Sequence, residues 1–210
     1  IYIIPNGIDH ELYNKYDVSE KAKNKTYEQY VGYIGRLTKY KRIEDIIMAA
    51  RHVLEQFPDV TFIIAGRGKQ GYVHKLVRLI RKLRIEDKVK LLGEVSEEEK
   101  VTLLKKMRVL IYTSVREGFG IPIIEAAAGG TPAVAYNVSG LRDAIVHGKT
   151  GLLVPYCDIK ALADSVLRII TNRSLFNYLS RNARRYSKKF DWNTTATMFK
   201  HLMVEISYGA

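Results

Sequence analysis

Two glutamates, Glu117 and Glu125, stand eight positions apart in the stretch LIYTSVREGFGIPIIEAAAGGTP, residues 110–132. Carboxylates accept hydrogen bonds, so the pair suits a ligand rich in hydroxyls. Between them, Gly118-Phe119-Gly120 lets the backbone turn sharply and come close to a ligand. Pro122 suits the first turn of a helix that begins near Ile121. Before them, Val109-Leu110-Ile111-Tyr112 is a short apolar run of the buried-strand type, ended by Thr113-Ser114. A strand, loop and helix in this order present free backbone N–H groups and a positive dipole end to an anion. With two carboxylates added, the stretch fits a ligand that carries both phosphate and hydroxyls, such as a nucleotide sugar. Other readings stay open. Glycosidase carboxylates flank the scissile bond about 5–10 Å apart, and Glu125 could serve only to complement the helix dipole.

Three further loops could join the site. Gly35-Arg36-Leu37-Thr38-Lys39-Tyr40-Lys41-Arg42 follows a strand and opens a helix. There Arg36 can grip phosphate oxygens in pairs and Lys41 can act as a point charge. A basic surface turn is the plainer reading. Gly66-Arg67-Gly68-Lys69-Gln70-Gly71 fits the Gly-x-Gly-x-x-Gly dinucleotide fingerprint. It follows a later strand than the first, and the acidic residue expected about 20 positions on is poorly placed. Glu86 and Asp87 precede the next strand, and Glu94 lies too far along, so a generic phosphate or base loop is the better fit. Gly93-Glu94-Val95-Ser96 ends a strand and starts a helix; Ser96 and Glu99 make a capping box, and Lys100 follows.

Other chemistries find no support. The five histidines show neither metal spacing nor a His-Glu-x-x-His run. There is no Asp-x-Asp motif, no Gly-x-Ser-x-Gly elbow and no Walker lysine loop. Cys157, the only cysteine, reads as a small apolar filler. It permits no disulfide within the chain, which points to a reducing, cytoplasmic setting. The tyrosines are scattered and make no stacking platform, so nucleic acid is not expected as a partner. The charge is strongly basic, 34 Lys and Arg against 22 Asp and Glu, a net +12. Phosphate-bearing ligands, an anionic membrane face or a basic binding module would each use it. The densest run is Arg181, Arg184, Arg185, Lys188 and Lys189: a solvated helix face by default, a peripheral membrane contact at its sharpest.

The elements that must hold these loops alternate. Apolar runs at 1–4, 31–34, 61–65, 89–92, 109–112, 133–135 and 151–154 read as strands. Helical spacing covers 43–54, 73–83, a segment capped by Ser96, a helix from Ile121, a short helix over 141–147, and everything after Asp158. The polar segment 17–29 reads as a connecting loop. About six alternations predict an α/β fold: a Rossmann-like doubly wound parallel sheet with helices on both faces. In such sheets ligands sit beyond the carboxyl ends of the strands. At 210 residues the chain suffices for one domain, 1–210. It opens without Met, directly into an apolar run, which suggests a domain from a longer protein. There is no signal peptide, internal repeat or low-complexity segment.

Taken together, these motifs resemble the C-terminal, donor-binding half of a retaining glycosyltransferase of the GT-B fold, in the group 1 (family 4) class related to sucrose synthase and bacterial mannosyltransferases. The likeness runs through Ile4-Pro5-Asn6-Gly7-Ile8-Asp9, the 35–41 loop, Ala65-Gly66-Arg67-Gly68, Leu92-Gly93-Glu94-Val95, Glu117-Gly118-Phe119-Gly120 with Glu125, Gly130-Thr131-Pro132 and 147–154. It implies that Arg36 and Lys41 hold the donor diphosphate and stabilise the leaving nucleotide without a metal. It implies that Glu117 meets the sugar hydroxyls, that the Gly118–Ile121 backbone meets the sugar and α-phosphate, and that Glu125 takes the ribose. Gly35 and Gly66 would lie along the same cleft, with Lys100 and the Gly93–Val95 backbone by the base. An N-terminal domain would supply the acceptor site and a histidine near the anomeric carbon, and the last helix would cross back to it. The sequence departs from the family pattern at Arg42, where a glycine is usual, at Lys69, where a proline is usual, and at Ser139-Gly140-Leu141-Arg142-Asp143, where the pattern is Gly-Gly-x-x-Glu. A nicotinamide-binding oxidoreductase domain and a non-catalytic basic module remain the competing readings.

Overall fold

The computed structural model describes residues 2–15 and 29–208. Apart from Gln29, the polar segment expected over 17–29 lies outside the described residues. Six strands form one sheet: β1 Gln29–Ile34, β2 Val60–Ala65, β3 Val89–Gly93, β4 Met107–Tyr112, β5 Ala133–Tyr136 and β6 Gly151–Val154. Their order is β3-β2-β1-β4-β5-β6, and every pairing is parallel. The central strands are buried on both sides, which is why they read as unbroken apolar runs.

The helices are α1 His10–Lys15, α2 Ile43–Gln56, α3 Gln70–Leu83, α4 Glu97–Lys106, α5 Ile121–Ala128, α6 Leu141–Ala144, α7 Ile159–Thr171, α8 Arg173–Ser187 and α9 Trp192–Tyr208. The chain winds outward from β1 to β3, so right-handed crossovers put α2 and α3 on one face. It then returns past β1 to β4 and winds the other way, which puts α4, α5 and α6 on the opposite face. α7 packs on α2, and α8 on α5. The winding reverses between β1 and β4, and the loops that leave these two strands face each other there. The fold is the doubly wound one expected.

Three local expectations are corrected, and one helix was not expected. Residues 2–7 form no strand. An apolar run needs a sheet edge to become a strand, and here it is the residues just after the run that are tied down, at the start of α9. The amide of Ile8 donates to the Phe190 carbonyl (2.9 Å), and the Thr195 hydroxyl donates to the Pro5 carbonyl (2.9 Å). Tyr2 and Ile3 remain 61% and 83% exposed. The short helix α1, which no sequence signal announced, follows directly. α6 ends at Ala144 rather than His147, because 146–151 forms a turn in which the Val146 amide donates to the Thr150 hydroxyl (2.9 Å). Cys157 is no core filler: it is exposed, in a left-handed turn with φ 64°, just ahead of the Asp158 cap of α7.

α9 leaves Trp192, Phe199, Met203, Val204 and Ile206 exposed. Among the described residues no helix is long and apolar enough to cross a membrane.

Candidate functional site at the switch point

Thr113 and Ser114, at the carboxyl end of β4, are buried hydroxyls. Thr113 donates to the carbonyls of Lys41 (2.8 Å) and Arg42 (3.0 Å), and the Val115 amide donates to the Tyr40 carbonyl (3.0 Å). The loop after β4 is thereby bound to the loop after β1. Its partner residue Glu117 accepts from the Ser114 hydroxyl and pairs with the Lys41 ammonium through the same Oε1. Both side chains are nearly enclosed, 11% exposed for Lys41 and 14% for Glu117. Lys41 also stands 5.4 Å from the Tyr40 ring centre and 5.6 Å from that of Tyr112.

The floor beneath Arg36 is made of two tyrosines. Tyr112 donates its hydroxyl to the Ile34 carbonyl (2.7 Å), and Tyr33 to the Arg36 carbonyl (2.9 Å). Their rings lie 5.0 Å apart. Burial pushes both phenols far above their ordinary range, so both stay protonated and remain donors. The Arg36 side chain itself is exposed.

Arg42, where the resemblance leads to an expectation of glycine, adopts a left-handed conformation, φ 50° and ψ 48°. A non-glycine residue there carries strain on the order of 1 kcal/mol. The strain is offset by a fork of hydrogen bonds from Arg42 to Asp45, 2.6 and 3.0 Å, which also holds the guanidinium above its usual range. Asp45 is 2% exposed and accepts from the Tyr136 hydroxyl at 2.7 Å. Asp45→Ala strands a guanidinium and a buried phenol at once. We expect it to cost about 2–4 kcal/mol in urea denaturation, against about 1 kcal/mol for Tyr136→Phe.

The second cluster lies on α4 and α5. Lys100 donates to Glu125 (2.8 Å) and pairs with Glu97 (2.7 Å). Burial pulls the ammonium down, but hydrogen bonds to Glu125 and Glu97 more than offset it, so Lys100 titrates above its ordinary value. Gly120 caps α5, with Pro122 in the first turn, so Glu125 sits about 6 Å along the helix axis from Ile121. Phe119 packs on Phe190, ring centres 5.1 Å apart.

The ends of β1, β2 and β3 form a row. The Gly35 amide donates to the Ala65 carbonyl (3.0 Å), the Gly66 amide to the Gly93 carbonyl (2.6 Å), and the Leu37 amide to the Arg67 carbonyl (2.8 Å). A Cβ on Gly66 would lie 1.8 Å from the Gly35 carbonyl oxygen, and one on Gly68 would lie 2.7 Å from the Leu37 Cβ. The first two glycines of the fingerprint are thus explained by loop packing, which removes the main support for a nicotinamide site. Val95, half-buried, follows Gly93 at the head of α4.

The structure therefore brings Lys41 to Glu117, Lys100 to Glu125, and Gly35 to Gly66 and Gly93. Sequence reasoning missed Ser114, Thr113, Tyr33, Tyr112 and Asp45. The signal for the first two was a pair of hydroxyls at the end of a buried strand, and it read only as a strand stop.

These features define a doubly wound domain with paired cationic and anionic side chains beyond the carboxyl ends of its strands. The chain belongs to the family described as glycosyl transferases group 1, whose model matches residues 15–186. It is 34% identical over 166 residues to a glycogen synthase of Mycobacterium tuberculosis, a match covering 79% of this chain and 40% of that protein. Among solved structures it is similar to Anabaena HepE in complex with UDP and glucose, with a TM-score of 0.86 at 26% identity over 97% of this chain and 57% of that one. It is also similar to sucrose-phosphate synthase from Thermosynechococcus elongatus, with a TM-score of 0.88 at 27% identity over 100% of this chain and 53% of that one. The chain thus spans roughly half the length of these proteins.

Proposed function

We propose that residues 1–210 form the donor-binding domain of a retaining, metal-independent glycosyltransferase that takes a nucleoside-diphosphate sugar, with UDP as the first nucleotide to test. The observation that carries the reading is the Lys41–Glu117 pair, held by Ser114 and Thr113 where β1 and β4 end. The HepE complex with UDP and glucose supports the choice of ligand class.

In this reading Arg36 and Lys41 meet the diphosphate. The bond from the anomeric carbon to the diphosphate oxygen breaks with its electron pair staying on that oxygen, while an acceptor oxygen bonds to the same carbon from the same face and its proton passes to the leaving diphosphate. The two cations stabilise the charge that builds there. Glu117 accepts from sugar hydroxyls and Glu125 from the ribose, while the Gly118–Ile121 backbone N–H groups face the sugar and α-phosphate. Lys100 and the Gly93–Val95 backbone border the base. The acceptor would sit on another domain, and the exposed apolar side of α9 is our proposed contact with it.

Calorimetric titration with UDP, GDP, ADP and NAD tests the reading. One nucleoside diphosphate should bind, and Arg36→Ala should weaken it about tenfold through loss of a charge-assisted bond. Tighter binding of NAD than of any nucleoside diphosphate would overturn it.

A further inference from the structure

Lys41 and Arg42 are neighbours in the chain, but their side chains go to different partners. Lys41 reaches Glu117, and Arg42 forks onto Asp45 at 2.6 and 3.0 Å. Asp45, 2% exposed, also accepts from the Tyr136 hydroxyl at 2.7 Å. The Arg42 guanidinium stands 5.5 Å from the Tyr156 ring centre, and that ring meets Tyr136 edge-on, centres 5.5 Å apart. Tyr136 ends β5, and Tyr156 lies in the turn after β6. One side chain of the β1 loop is thereby fastened to the start of α2 and to the ends of two further strands. None of these four residues meets the ligand in the proposed donor chemistry.

This clasp is more than the turn requires. Glycine takes φ 50° and ψ 48° without the steric cost that an arginine bears there. The turn also has its own backbone closure. The Lys41 amide donates to the Thr38 carbonyl (2.9 Å), the Arg42 amide to that of Lys39 (3.0 Å) and the Asp45 amide to that of Arg42 (3.0 Å). What the guanidinium adds is a second anchor for Lys41. One anchor is the Thr113 hydroxyl, which donates to the carbonyls of Lys41 and Arg42. The other is the side chain of the next residue. A forked guanidinium–carboxylate pair fixes orientation as well as distance, and with one partner buried it is screened little by salt. A cation that must meet a diphosphate within hydrogen-bond reach depends on such support from behind.

We propose that Arg42 and Asp45 are positioning residues for Lys41, holding its ammonium where the donor diphosphate arrives. The proposal rests on the reading of Lys41 as a diphosphate ligand. It carries a sign that charge alone does not give. Asp45 is a carboxylate four positions from Lys41, so by Coulomb attraction alone its neutralisation tightens the binding of an anion. Acting through Arg42, the same neutralisation loosens Lys41 and weakens binding.

Calorimetry with whichever of UDP, GDP and ADP the chain binds most tightly is the test. Asp45→Asn, which keeps an acceptor for Tyr136, should weaken binding about fivefold, and Arg42→Gly should do the same. Glu55→Gln, the same charge change at an exposed position of α2, should leave it unchanged. Arg42→Gly combined with Asp45→Asn removes the backbone strain and both charges. That double variant should regain the parent's stability in urea denaturation while its affinity stays low. Recovery of affinity together with stability would make the clasp structural only and overturn the proposal. So would unchanged or tighter binding in Asp45→Asn, including the case where only Arg42→Gly loses affinity, as a direct phosphate ligand would. Each of these results leaves the donor reading intact provided Lys41→Ala weakens binding. If the chain binds no nucleoside diphosphate, or binds it equally well in Lys41→Ala, that reading fails and the positioning role falls with it.

Discussion

Lys41→Ala should weaken nucleoside-diphosphate binding by about a hundredfold and should also destabilise the empty domain. The two effects have different origins. In the empty site, Lys41 compensates Glu117, and both side chains are largely shielded from water. Removing the ammonium leaves a carboxylate held by the Ser114 hydroxyl alone. Breaking a buried pair costs about 3–5 kcal/mol, and partial exposure brings the expected loss to about 2–3 kcal/mol. The affinity loss follows from a charge-assisted contact to the diphosphate, worth about 1.5–3 kcal/mol. A second substitution separates them. Lys41→Ala with Glu117→Gln removes both charges while keeping an acceptor for Ser114, so it should recover most of the stability in urea denaturation and none of the affinity in calorimetry. If the double variant regained nucleotide binding, Lys41 would be a structural counter-ion to Glu117 and not a phosphate ligand.

What the sequence disclosed about this site divides along physical lines. Punctuation was legible. Gly118, Gly120 and Pro122 mark a loop and a helix start by backbone constraint alone, and the helix begins at Ile121 as expected. Ser96 and Glu99 were legible for the same reason, because a capping box is local: the two reciprocal bonds are 2.8 and 3.2 Å. Non-local pairs were not legible. Lys100 had no reading of its own until the family resemblance supplied one, because its partner Glu125 lies 25 positions away. Tyr33 and Tyr112 read only as members of buried strands, and so they are, but each also spends its hydroxyl on a carbonyl of the 34–36 loop. Asp45 was not singled out at all. It is a buried acceptor for Arg42 and Tyr136, and Tyr136 is 91 positions away. The apolar run 1–4 failed in the opposite sense. Apolar composition alone cannot say whether a segment finds a sheet edge; here Tyr2 and Ile3 stay exposed, and Tyr2 reaches α9 only through its hydroxyl, which donates to Glu205 (2.6 Å).

Gly66 and Gly71 belong to one sequence motif and should respond in opposite ways to alanine. At Gly66 a Cβ would meet the Gly35 carbonyl oxygen at 1.8 Å and its carbon at 2.7 Å, and the residue sits at φ 141°. Both obstacles are backbone, and that backbone is the turn that carries Arg36, so neither can yield without moving the site. Gly66→Ala should cost more than about 4 kcal/mol, at the severe end of single substitutions, and should abolish nucleotide binding in whatever fraction stays folded. At Gly71 nothing lies within 4 Å of the added carbon, and the residue is the second of α3. Gly71→Ala removes backbone freedom from the unfolded chain and gains helix propensity, so it should stabilise by about 0.5–1 kcal/mol. Urea denaturation of the two variants side by side reads both signs. A dinucleotide fingerprint would need both glycines for the ligand and would lose NAD binding in either variant. If the three glycines instead serve loop packing at two positions and nothing at the third, the Gly71→Ala domain keeps its nucleoside-diphosphate affinity and melts later than the parent chain.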